Sequence, residues 1–144
     1  MRYVFDDGGR EAAGYKGFTG DCVCRSIAIA TETPYKEVYD LINKMAKSER
    51  IGKWKRDKSS ARNGVYKETT RRVMEYLGWE WVPTMTVGSG CKVHLKEDEL
   101  PKGRIVVKLS KHCVAVIDGV IHDTYDPSRN ETRCVYGYFK RKEN

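Results

Sequence analysis

HCVAVIDGVIHDTYD, residues 112–126, decides the fold: two apolar runs meet at Asp118-Gly119, the dipeptide favoured by a two-residue type I′ hairpin turn. With that turn, Ile117 pairs with Val120, Val116 with Ile121 and Val114 with Asp123. Side chains two apart share one face of a strand, so His112, Val114 and Asp123 point the same way. Asp123 then lies diagonally across from His112, within side-chain reach. His122 falls on the opposite face. Asp126, in Tyr125-Asp126-Pro127 where the strand ends, is the alternative partner for His112. A register slip of one residue reverses every one of these assignments.

Working outward, RIVVKLS (Arg104 to Ser110) reads as a strand with a buried middle, and LKEDELP before it as a single helical turn. WEWVP is a short alternating strand from Trp79, and TRCVYGYFK closes the sheet. The first half of the chain is helical instead. In DCVCRSIAIAT, Asp21 can cap a helix running from Cys22 to about Thr31, apolar nearly all round and therefore buried. Thr33-Pro34 starts a second helix, with threonine as cap and Val38, Leu41, Ile42 and Met45 as its core face. A third spans about Tyr66 to Leu77 and stops at Gly78. A strand from Arg2 to Phe5 and a glycine-rich loop precede them all, and the basic segment 47–62 reads as an exposed excursion. Helices followed by an antiparallel sheet make an α+β arrangement, and 144 residues make one domain, 1–144.

The net charge of +7, from 27 basic and 20 acidic residues, permits nucleic acid, an anionic membrane or an acidic partner without selecting one. A basic stretch from Lys53 to Arg72, interleaved with Trp54 and Tyr66, could stack on bases and meet phosphates, or simply be a solvated face. No apolar run approaches the roughly 20 residues of a membrane span. The N-terminal MRYVFDDGGREAAGYKG has no apolar centre and carries acids, so it is not a secretion signal. The expectation is a cytoplasmic protein whose five cysteines, at 22, 24, 91, 113 and 134, stay as thiols. Cys22, Cys24 and His94 match no common zinc spacing, so neither metal nor cofactor is expected.

Cys22 carries the chemical interest. A thiol attacks as its thiolate, and a helix start stabilises negative charge through unpaired amides and the helix dipole. From position alone the simpler reading of Cys22 is a small core residue, and Cys24, two positions on and pointing to a different side, is better explained as core. His112, at a strand start, can be a base or a structural hydrogen-bonding residue. An aspartate at position 123 would fix its tautomer and stabilise its cation.

Together these segments carry a family resemblance. GDCVCRSIAIAT resembles the nucleophile helix of papain-like peptidases, especially bacteriocin-leader-processing peptidases and related small phage-encoded proteins. KHCVAVIDGVIHDTYDP resembles the histidine strand, hairpin and Asp-Pro corner of the same fold, in the order Cys, His, Asp. Residues 47–63 and 84–93 fall outside the likeness. It implies a papain-like fold, thiol acyl transfer with Cys22 as nucleophile, His112 as base and Asp123 as orienter, a peptide or protein substrate, and a phage-encoded protein acting in host cytoplasm. One feature departs from the pattern: the glutamine that helps form the oxyanion hole is missing, since the chain contains no glutamine. Thr19, Lys16 or loop amides are the substitutes on offer beside the Cys22 amide. The same gap suits a second reading, a papain-like protein without catalysis that binds nucleic acid or a host protein through its basic surface.

Overall fold

At the hairpin, Asp118 and Gly119 both take positive φ, 48° and 80°, as a type I′ turn requires. Strands β4 (His112–Ile117) and β5 (Val120–Asp123) pair as Ile117↔Val120, Val116↔Ile121 and Ala115↔His122. The computed structural model describes residues 1–53, 57–86 and 88–143. Among these, four further strands complete the sheet: β1 (Tyr3–Phe5), β2 (Trp79–Pro83), β3 (Arg104–Leu109) and β6 (Gly137–Arg141). Three helices precede its centre: α1 (Cys22–Thr31), α2 (Tyr35–Ala46) and α3 (Lys67–Tyr76). LKEDELP supplies a 3-10 turn at Glu97–Glu99. The class is α+β. No helix among the described residues is long and apolar enough to cross a membrane.

The six strands run in the order β1-β5-β4-β3-β6-β2, and the sheet is mixed rather than antiparallel. β1 pairs in parallel with β5, Tyr3 opposite Ile121 and Phe5 opposite Asp123. The last strand does not close the sheet either. β6 begins at Gly137 and lies between β3 and β2, leaving β2 at the edge. A Cβ at Gly137 would meet the Trp81 ring 2.4 Å away, so that central position accepts no larger residue without rearrangement.

Each face of the sheet has its own core. Under the helices, Ile27, Val38, Ile42, Val73 and Met74 pack with Val106, Ala115 and Phe139. On the far face, Ile105, Val107, Val114, Val116 and Ile121 are covered by Leu95, Leu100 and Val135. That cover is fastened by a bridge between His94 and Cys134 and by a disulfide between Cys91 and Cys134. Two of the five cysteines are therefore paired, against the expectation that all remain thiols. Bringing 91 and 134 onto neighbouring chain segments sets their Cα atoms 5.8 Å apart, inside the range a disulfide spans.

Helix starts differ from the sequence reading in their caps. Asp21 occupies the cap position of α1 but makes no side-chain cap bond, because its carboxylate is engaged elsewhere. Pro34 rather than Thr33 precedes the first residue of α2; the Thr33 hydroxyl lies against that of Thr31 instead. Trp54, the aromatic centre of the basic stretch, lies outside the described residues.

Candidate active site

α1 carries a single charge. Arg25, a turn beyond Asp21, is 8% exposed and donates to Asp21 Oδ1 at 2.5 Å and to Asp123 Oδ1 at 2.9 Å. A buried guanidinium requires such partners, since an unpaired charge in the interior is strongly disfavoured. Tyr35 donates its hydroxyl to the other oxygen of Asp21 at 2.6 Å. The glycine-rich loop lies directly on this helix: a Cβ at Gly8, where φ is 72°, would meet the Arg25 carbonyl oxygen at 2.9 Å.

The same Asp123 holds His112. Its Oδ2 lies 2.7 Å from His112 Nε2, and both side chains are buried. The carboxylate accepts the Nε2 proton, which leaves Nδ1 as the basic nitrogen. Tyr125 Oη is 3.4 Å from Nδ1, with the two rings 5.2 Å apart. His112 and Asp123 are the end residues of β4 and β5, where they reach the first turn of α1. Val114, expected on their face, is buried in the far core with Val116. Alternation orders the middle of the hairpin but not its open end.

Cys22 closes the chain of contacts. Its thiol neighbours both Cys113 and His112 closely enough for each to lower its ionisation. The Cys113 hydrogen bond lowers the Cys22 ionisation most; burial opposes it, and His112 lowers it further, down to about 4. Cys113 responds oppositely: donating to Cys22 and full burial raise it well above an ordinary thiol. Burial depresses His112, but its hydrogen bonds to Asp123 and Cys22 outweigh this and raise it. Burial likewise works against the Asp123 carboxylate, while His112 and Arg25 bring it below the usual value. The site thus favours the thiolate of Cys22 and shifts His112 toward its protonated form.

The remaining candidates separate cleanly. Cys24 is buried with its sulfur 3.9 Å from the Tyr35 carbonyl, and burial followed by the nearby Asp21 pushes its thiol up to about 12. Asp126 accepts the Ser128 backbone N–H at 2.9 Å and shapes the corner, so the contact with His112 falls to Asp123. His122 sits beside Asp6, 3.4 Å away. His94 contacts Glu99 and Cys91 instead of joining Cys22 and Cys24. Among the described residues no group of three His, Cys, Asp or Glu side chains is arranged to hold a metal ion.

Of the oxyanion candidates, Thr19 donates its hydroxyl to the Arg62 carbonyl at 2.8 Å. The Cys22 amide opens α1, where no side-chain cap bond occupies the helix start. Sequence reasoning missed Arg25 and Cys113. The signal for Arg25 was present, as a lone charge in an apolar helix one turn after Asp21. Cys113 had no such mark, because its meaning depends on β4 passing under the first turn of α1. Compared with known proteins, the chain matches no family model, no curated protein and no solved structure.

Proposed function

We propose that this chain is a papain-like cysteine hydrolase, most simply a peptidase, with Cys22, His112 and Asp123 as its catalytic set. The observation that carries the reading is the buried His112–Asp123 pair, 2.7 Å apart, beside a Cys22 thiol near enough for His112 to lower its ionisation. A thiol, a ring nitrogen and a carboxylate in that order are the parts of nucleophilic acyl transfer.

In the resting form the Cys22 proton resides on His112 Nδ1. The thiolate attacks a substrate carbonyl carbon, and the oxygen that becomes negative is met by the Cys22 amide at the positive end of α1. Collapse breaks the carbon–nitrogen bond, and His112 gives its proton to the departing amine. Water then attacks the thioester with His112 taking its proton, which releases the acid and restores the thiolate. Asp123 keeps Nε2 protonated throughout, and Arg25 holds Asp123 in place.

The test is a complex peptide mixture incubated with the full chain and analysed for new termini by mass spectrometry. Cleavage that disappears in Cys22→Ala and in His112→Ala is the expected result. A mixture left intact by the active chain, or cut equally by Cys22→Ala, overturns the proposal.

A further inference from the structure

A groove of about 540 Å³ runs between the first half of α3 and the edge of the sheet, and its lining includes the chain neighbours of Cys22 and His112. Those neighbours are Val23, which follows the nucleophile, and Cys113, which follows His112 and lowers the Cys22 ionisation. Trp81, Met85 and Phe139 give it an apolar wall. The volume lies in the range of about 300–1,000 Å³ common for ligand pockets.

Its charges are unbalanced. Lys67 and Arg71 on α3 and Lys108 on β3 line it, against the single carboxylate of Glu68. Among the described residues none of the three cations forms an ion pair. Lys108 is only half-exposed, on the sheet side of the groove, and close enough to Cys113 to influence its ionisation. Arg71 lies with its guanidinium 5.9 Å from the centre of the Trp81 ring, which leaves the in-plane N–H groups free to take a carboxylate. Lys67 and Arg71 are exposed and Lys108 is half-buried beside the apolar wall, so an opposite charge meeting Lys108 is screened less than one on the open surface, and a ligand with both an apolar and an acidic group fits best.

We infer that this groove binds the substrate segment flanking the scissile bond, and that it selects a peptide bearing a large apolar side chain next to an acidic one, with Lys108 and Arg71 meeting the side-chain carboxylate. The inference rests on Cys22 as nucleophile for its link to cleavage, but the binding preference is measurable without catalysis.

The experiment uses full-length Cys22→Ala and fluorescein-labelled hexapeptides with amidated C-termini, built from alternating Leu-Glu, Leu-Gln or Leu-Lys and followed by fluorescence anisotropy. An otherwise identical Leu-Gln peptide with a free C-terminus separates a terminal carboxylate from a side-chain one. The Leu-Glu peptide should bind about two- to fivefold tighter than Leu-Gln, with Leu-Lys weakest, a gap equivalent to one partly screened ion pair. Lys108→Glu should remove or reverse that order, and the exposed Arg71→Glu should weaken it in the same direction if Lys108→Glu does not fold. Equal affinities across the peptides, no saturable binding, a preference only for the free C-terminus, or an order unchanged by both variants overturns the inference. A retained acidic preference in a chain whose wild type cleaves nothing sinks the hydrolase reading alone.

Discussion

Cys113 is the residue whose role is most unexpected. It is a buried thiol whose hydrogen bond to Cys22 is the largest influence lowering the Cys22 ionisation, ahead of His112. A thiolate that loses a hydrogen bond loses stabilisation typical of bonds to charged groups, about 1.5–3 kcal/mol. Cys113→Ala should therefore move the acidic limb of Cys22 alkylation to higher pH and slow the reaction about two- to fifteenfold at pH 5. Cys113→Ser, which keeps a donor, should recover part of the loss. Alkylation rates measured across pH by intact-mass spectrometry check this, and superimposable wild-type and Cys113→Ala profiles would remove Cys113 from the site.

At the scale of elements, α1 and the β4–β5 hairpin position the chemistry, and they were also the most legible parts of the sequence. The helix runs over Cys22–Thr31 as its apolar run indicates, and the Asp118-Gly119 turn sets the register expected of it. What escaped reading was non-local. A three-residue exposed strand, YVF, carries no alternation to signal a parallel partner at the far end of the chain. Alternation also misassigns Val114 relative to His112 and Asp123, because strand ends are free to turn toward a neighbouring helix. Arg25 ties the two elements together, with a side chain 10% exposed between Asp21 and Asp123, which are 0% and 1% exposed. Arg25→Met would leave two buried carboxylates without their cation, a change expected to cost about 3–5 kcal/mol. Urea unfolding checks the magnitude; Arg25→Met combined with Asp123→Asn should cost less than the sum of the two single changes. Additive effects would mean that the Arg25–Asp123 contact contributes nothing.

The whole molecule divides its labour between the two faces of the sheet. One face carries the helices and the candidate site; the other is sealed by the segment around Leu95 and Leu100, fastened through the Cys91–Cys134 disulfide across 43 residues. Losing a cross-link over a loop of that size costs about 2–4 kcal/mol. Cys91→Ser/Cys134→Ser should lower stability by that amount while the Cys22 alkylation rate stays the same, and a changed rate would mean the cover supports the site. The claim on which the functional account stands is that folding pairs a thiolate at Cys22 with an imidazolium at His112. Iodoacetamide alkylation of Cys22 followed from pH 3 to 10 tests it most directly. An inflection near 4 that moves upward in His112→Ala is the predicted result. An inflection near the ordinary thiol value of about 8.5, identical in His112→Ala, would contradict it.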